Sequence, residues 1–210
     1  MVHGEENIPK KINRSKIILV EGDDDEKFFK QFLKYEEINI DDIHFINTDG
    51  SYDKEFVNLL VKRPGFKNKI KLFVVIRDAE ANIQSAFDEI VKKFDGTFLT
   101  FPKKPNSFTN NVPKVGVYII GNDSDIKMLE DLCLKTVKNN PEMKCVDIFC
   151  ECVSKLKDEK PKNLSKAKAQ AYLATRPNYA AHIGIGAKEG YWKFKSPELD
   201  DLRNFIKIFK

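Results

Sequence analysis

The chain has 210 residues, of which 41% are hydrophobic and 32% are charged, and its net charge is +4. This composition is typical of globular proteins, and no apolar run approaches the roughly 20 residues that a membrane span needs. The first residues also lack an apolar segment followed by a small-residue cleavage site, so we expect a cytoplasmic protein without a secretory signal or membrane association.

The charges are unevenly distributed along the chain. Residues 1–50 hold 7 basic and 12 acidic residues, whereas residues 151–210 hold 13 basic and 7 acidic residues. An acidic N-terminal part could bind a cation and a basic C-terminal part could bind a polyanion, although solvated surface charge explains the same counts.

Apolar runs alternate with segments of helical periodicity through the first 140 residues. The predicted strands are residues 16–20, 43–47, 71–76, 97–101 and 114–120. The first predicted helix begins with Asp23 as its N-cap, and Glu26 completes a capping box. Further helices are predicted over residues 53–62, 80–94 and 124–137. This order predicts a doubly wound, mainly parallel α/β sheet with right-handed crossovers.

Helical periodicity without a clear strand continues after residue 141. It covers residues 145–157, 165–175 and 198–209. The sequence therefore predicts an N-terminal tail (1–15), an α/β domain (16–140) and a helical C-terminal extension (141–210) packed on that domain.

Four cysteines are too few and too irregularly spaced for a disulfide scaffold. Cys145, Phe149 and Cys152 share one face of a predicted helix, which favours buried free thiols. Paired C-x-x-C spacing is absent and the three histidines are scattered, so we expect no zinc.

Acidic residues follow three of the predicted strands. Glu21 follows the first strand, Asp78 and Glu80 follow the third, and Asp123 follows the strand at residues 114–120. Open parallel sheets bind ligands at the carboxyl ends of their strands, and in an extended segment Asp78 and Glu80 point the same way.

Carboxylates are ligands that Mg²⁺ prefers, together with water and phosphate oxygens. We therefore predict a magnesium or manganese site at this edge, with Glu21 in proton transfer. The predicted metal ligands are Asp25, Asp78, Glu80, Asp123, Glu130 and Asp131. The alternative interpretation of the same acids is helix capping and solvated charge.

These motifs resemble the Toprim domain, the metal-binding catalytic module of topoisomerases, bacterial primases, OLD-type nucleases and some RNA-maturation nucleases. Glu21 and Gly22 match its strand-ending Glu-Gly, and Asp78 with Glu80 matches its acidic pair. The segment "VEGDDDEKFF", with Asp25 four residues after Glu21, is most similar to the OLD-type branch and to small stand-alone Toprim-like proteins. The resemblance implies acid/base chemistry at Glu21 and magnesium at the acidic pair.

The chain departs from the family pattern in two respects. Glu80 stands where the family usually has Asp, and Arg77 before the pair is a candidate ion-pair partner for one of these acids. The sequence has neither a G-x-x-x-x-G-K loop nor zinc-binding cysteine pairs, which excludes a whole topoisomerase, primase or OLD ATPase.

A group of basic residues lies in the C-terminal part. Lysines that contact phosphates, with nearby aromatic rings, are typical of non-specific nucleic-acid grooves. The predicted nucleic-acid-binding residues are Lys162, Lys166, Lys168 and Arg176. A solvated helix face is the alternative, and "GIGAKEG" resembles a phosphate loop but follows no predicted strand.

Three functions are consistent with these patterns. The first is magnesium-dependent phosphodiester chemistry on nucleic acid, as in a Toprim-type nuclease. The second is a catalytically silent Toprim-like module that binds metal, nucleic acid or a partner. The third, a phospho-receiver modified at Asp78, is disfavoured because Gly121-Asn122-Asp123 stands where receivers place a lysine. The sequence leaves a protein partner or homodimer undetermined.

Overall fold

Five strands pair into one sheet in the described part of the chain. They are β1 (Lys16–Val20), β2 (Ile43–Asn47), β3 (Leu72–Asp78), β4 (Ser107–Phe108) and β5 (Lys114–Ile120). The structure is a computed structural model that describes residues 4–50, 52–122, 124–156, 161–178 and 180–210. The strand order is β2-β1-β3-β5-β4, and only the edge pairing of β4 with β5 is antiparallel. The predicted mainly parallel α/β fold is confirmed.

Helices connect the strands and form the C-terminal part. They are α1 (Asp23–Tyr35), α2 (Lys54–Lys62), α3 (Phe66–Lys69), α4 (Ile83–Lys93), α5 (Leu129–Val137), α6 (Pro141–Ser154), α7 (Leu164–Ala174), α8 (Ile183–Lys188) and α9 (Asp200–Ile206). Short 3₁₀ turns cover Glu5–Asn7, Pro197–Leu199 and Lys207–Phe209. No helix among the described residues has the length and apolarity to cross a membrane.

The sheet is buried on both faces, because successive residues of a strand point to opposite sides. Phe73 and Val75 of β3 pack in one apolar cluster with α2, α3 and α4. Val74 and Ile76 pack in a second cluster with α1 and the C-terminal helices. The helices therefore cover the two faces separately, which is the doubly wound arrangement.

The C-terminal extension packs on the same sheet face as α1. Phe194 makes edge-on ring contacts with Phe28 and Phe32 of α1, at centroid distances of 5.5 and 5.2 Å. Trp192 is 2% exposed, and its Nε1–H donates to the carbonyl of Ile183 at 3.0 Å. These buried aromatic contacts hold the extension against α1.

Two predicted elements in the sheet region are wrong. Residues 97–101 form no strand, because Phe98 and Phe101 instead pack on Phe66 and Phe94, and the edge strand is β4 within the predicted loop. The helix predicted at residue 124 begins at Leu129, because the Asn122 side chain accepts N–H groups from the following turn.

Two predictions about individual helices are also wrong. Helix α1 is capped by Gly22 rather than Asp23, because the Asp25 carboxylate accepts the Gly22 N–H at 3.0 Å. Helix α6 buries Met143, Val146 and Cys150, which leaves Cys145, Phe149 and Cys152 exposed. Its two faces are both apolar, so periodicity alone did not identify the buried one.

Candidate functional site

A cleft of about 450 Å³ lies at the carboxyl ends of β1 and β3. The chain runs from β1 to β2 on one side, whereas β3 pairs with the other side of β1. The cleft therefore lies where the strand order reverses, and open α/β sheets bind their ligands at this position.

Six acidic residues from three separate segments line the cleft, which we call the acidic cleft, and four of them are predicted site residues. Glu21 follows β1 directly, and Asp25 lies in the first turn of α1. Asp78 is the last residue of β3, and Glu130 lies in the first turn of α5. The structure thus brings these four predicted site residues together.

Backbone N–H groups at helix N-termini fix two of the carboxylates. Asp78 Oδ1 accepts the N–H of Leu129, the first residue of α5, at 3.0 Å. Asp25 Oδ2 accepts the Gly22 N–H at 3.0 Å. The unpaired N–H groups of a helix N-terminus favour negative charge, so both acids are positioned through one oxygen.

The cleft raises the pKa values of all four acids. Burial is the largest cause, and it raises the pKa of Asp25 to about 7 and that of Asp78 well above its ordinary value. The charges of Glu21 and Glu130 add to the effect at both residues. Burial likewise raises the pKa of Glu130 and of Glu21. The acidic cleft therefore carries an electrostatic penalty that a bound cation would relieve.

Arg77 fixes Glu21. Its Nε lies 3.0 Å from Glu21 Oε1, and its guanidinium also lies 2.8 Å from Glu89 of α4. The Arg77 side chain is 9% exposed, and its charge opposes the increase that burial causes in the pKa of Glu21. Arg77 thus pairs with Glu21 and Glu89, whereas the sequence suggested an acid of the pair Asp78 and Glu80 as its partner.

The opposite wall of the cleft comes from the helical extension. Lys166 of α7 lies 3.8 Å from Glu130, and His182 Nδ1 lies 3.7 Å from Asp24 Oδ2. The other Asp24 oxygen accepts the Gly184 N–H at 3.3 Å. Sequence reasoning missed His182, because only the fold brings it beside a residue 158 positions earlier in the chain.

The glycines near His182 serve helix packing. A Cβ at Gly184 would lie 2.4 Å from the Cβ of Lys27 on α1. Residues 183–188 form α8, which lies directly against α1. The glycine-rich sequence that resembles a phosphate loop thus lets these two helices approach closely.

The other three predicted metal ligands are not among the described residues that line the cleft. The expected extended geometry of residues 78–80 is wrong, because β3 ends at Asp78 and exposed Glu80 has a φ of 52°. Asp131 accepts the N–H groups of Lys127 and Met128 at the start of α5. Asp123 lies outside the described residues.

The predicted basic residues are dispersed. Lys166 alone among the four lines the acidic cleft as described. Lys168 pairs with Asp147, while Arg176 pairs with Glu142 at 2.6 Å and stacks on Tyr172. Lys162 is exposed just before α7.

A family model, described as a protein of unknown function (DUF3226), matches residues 15–209. The chain belongs to the DUF3226 family. A search of curated proteins gives no match.

Two solved structures resemble this DUF3226 chain along most of its length. Hypothetical protein PH0156 from Pyrococcus horikoshii OT3 is 15% identical with a TM-score of 0.51, covering 93% of this chain and 98% of its own. The C-terminal region of the Burkholderia pseudomallei OLD protein is 14% identical with a TM-score of 0.47, covering 94% and 99%. At such identities the first similarity concerns the fold alone, and it agrees with the architecture described above.

The side chains of the DUF3226 cleft have the chemistry of a hard-cation site. Within the described residues, however, no group of three His, Cys, Asp or Glu side chains is arranged to hold a metal ion. Mg²⁺ usually takes only one or two carboxylates and completes its octahedron with water and phosphate, so the cleft does not need a closed cage. The acids fit such an ion in type and location.

Proposed function

We propose that the acidic cleft binds Mg²⁺ or Mn²⁺ and cleaves a phosphodiester bond of nucleic acid, as the Toprim resemblance implies. One observation carries this proposal: carboxylates from β1–α1, β3 and α5 line one cleft at the reversal of the strand order. The raised pKa values of Asp25 and Asp78 support it, because burial and the neighbouring carboxylates disfavour their charged forms, which a bound cation would stabilise.

The residues divide into three roles. Asp25, Asp78 and Glu130 would hold the cation, which supplies charge neutralisation and polarises a phosphate oxygen when it is bound. Glu21, held by Arg77 at 3.0 Å, is the group that moves a proton. Its raised pKa brings it nearer to neutral pH, where a general acid or base works best.

Lys166 supplies the positive charge on the opposite wall. It lies 3.8 Å from Glu130, and its side chain is 60% exposed, so it can turn toward a bound anion. A phosphate between Lys166 and the acids would have a cation on either side. This arrangement supports a nucleic-acid backbone as the substrate class.

The first test is isothermal titration calorimetry with MgCl₂ and MnCl₂. We expect saturable binding to the parent chain and at least a tenfold weaker affinity in Asp78→Asn. The matched control is Asp95→Asn, which removes an exposed acid after α4 and should bind like the parent. Equal metal affinity in all three chains would show that the acidic cleft is not the metal site.

The second test is cleavage of labelled single-stranded DNA, duplex DNA and RNA with either metal. Glu21→Gln should lose cleavage and keep metal binding, whereas Asp78→Asn should lose both. Cleavage by Glu21→Gln at the parent's rate would overturn the proton-transfer role.

A catalytically silent binding module is the second candidate. It is favoured by the position of Glu80, which does not line the cleft although it belongs to the matched acidic pair. Metal-dependent binding of the same nucleic acids, without any product in the parent chain, would select this candidate over the nuclease.

A further inference from the structure

Helix α6 exposes an apolar stripe on its outer face. Cys145, Ile148, Phe149 and Cys152 are all exposed, with Ile148 at 68% and Phe149 at 58%. Their spacing of three, one and three residues places them on one side of the helix. Leu156, just beyond the end of the helix, is 53% exposed.

This outer stripe is not the face that holds α6 in the fold. Met143, Val146 and Cys150 are buried on the opposite side, and α7 is tied to α6 by the ion pair of Lys168 with Asp147. Contiguous exposed apolar surface is typical of a protein–protein interaction site. Within the described part of the chain, the outer stripe is left uncovered and is therefore available to a partner.

The outer stripe is symmetric about its own midpoint. The point between Ile148 and Phe149 is also midway between Cys145 and Cys152. If two copies of α6 pair antiparallel about a two-fold axis at this point, Ile148 faces Phe149 of the other copy and Cys145 faces its Cys152. A two-fold interface requires such self-complementarity.

The charges beside the stripe follow the same symmetry. Lys144 and Glu151 lie on the same flank of α6 and are both exposed. In the antiparallel pair, Lys144 of each copy lies within one helical turn of Glu151 of the other. Glu151 otherwise pairs with Lys155 on the surface at 2.7 Å, and such an exposed pair is weak enough to exchange.

We propose that the protein forms a homodimer through antiparallel pairing of α6 with α6 of a second copy. The two stripes pack against each other, and the pairs of Lys144 with Glu151 fix the register. No described residue of α6 lines the acidic cleft, so the paired helices themselves do not form part of it.

Cysteine cross-linking tests the register directly, with a short bismaleimide and denaturing electrophoresis. The parent chain should form a covalent dimer, because each Cys145 faces a Cys152. Cys145→Ser alone and Cys152→Ser alone should not, because identical positions lie roughly 10 Å apart along the axis. An equal mixture of the two variants should cross-link again, in up to about half of the dimers, since random pairing makes that share mixed.

The double variant Cys145→Ser/Cys152→Ser is the control for the buried thiols of Cys133 and Cys150, and it should not cross-link. Cross-linking of either single variant by itself would overturn the antiparallel register. Failure of both the parent and the mixture to cross-link would overturn the interface.

Light scattering after size exclusion provides an independent measurement. Phe149→Glu should convert the dimer to a monomer of 24.2 kDa. Val112→Glu, which adds the same charge at an 86% exposed apolar residue elsewhere, should remain dimeric. A parent chain that is monomeric at every concentration would also overturn the proposal, and circular dichroism confirms that each variant is folded.

Discussion

The two walls of the cleft are built in opposite ways. The sheet wall carries partly buried acids held by backbone N–H groups and by Arg77, and their pKa values are raised. The helical wall carries Lys166 and His182, whose side chains are 60% and 56% exposed and lie 3.8 and 3.7 Å from Glu130 and Asp24. The sheet wall therefore lowers the stability of the metal-free protein, whereas substitutions on the helical wall should leave stability almost unchanged.

The largest effect is expected at Arg77, which connects the sheet wall to α4. Arg77→Met leaves the half-buried Glu21 without its partner, and we expect the free energy of unfolding to fall by about 3 kcal/mol. Adding Glu21→Gln to Arg77→Met should restore about 1 kcal/mol, because it removes the uncompensated charge. Urea unfolding at pH 7.5 measures both values, and strict additivity of the two substitutions would contradict the coupling.

A smaller effect of opposite sign is expected at Asp25. Its pKa of about 7 in the folded protein lies above its ordinary value of 3.8, so the folded state holds this proton more tightly than the unfolded state does. The penalty is absent below about pH 4 and grows as the pH rises toward 7. Asp25→Asn should thus stabilise the metal-free protein by about 2 kcal/mol at pH 8 and leave it unchanged at pH 4.

Thermal unfolding in EDTA at both pH values measures the effect of Asp25→Asn. Asp23→Asn, two residues earlier and exposed, is the matched control and should change stability by less than about 0.5 kcal/mol. In saturating Mg²⁺ the parent should become more stable than Asp25→Asn, because ion binding raises the free energy of unfolding of the parent more than that of the variant. A stabilisation that is equal at pH 4 and pH 8 would show that Asp25 is not the titrating group.

The sequence predicted the sheet wall because its signals are local. A fully apolar run such as residues 72–76 indicates a strand buried on both faces, and an acid after such a strand must lie at the edge of the sheet. Glu21 and Asp78 follow directly from this reasoning. The geometry of Glu80 does not, because its left-handed φ is set by the turn that joins β3 to the backbone of Lys127.

The helical wall was less predictable because its contacts are distant in sequence. Glycines at residues 184 and 186 indicate a loop by local rules, yet close packing on α1 makes this segment helical. The aromatic residues 98 and 101 indicate a strand by propensity, yet they pack on other rings without pairing in the sheet. His182 carries no local signal at all.

The smallest effect is expected at Lys166, and it distinguishes the functions of the two walls. Lys166→Gln should change stability by less than about 0.5 kcal/mol, because its ion pair with Glu130 is exposed on the lysine side and long at 3.8 Å. It should weaken nucleic-acid binding by about 1 kcal/mol and reduce the slope of log K against log salt by about 1, since one phosphate contact is lost. Fluorescence anisotropy with labelled single-stranded DNA at several salt concentrations measures both quantities.

Lys162→Gln is the matched control: Lys162 precedes the same helix but does not line the cleft. Equal weakening in both variants would mean that nucleic acid binds along the lysines of the extension rather than in the cleft, and the helical wall would then have no part in positioning the phosphate beside the acids.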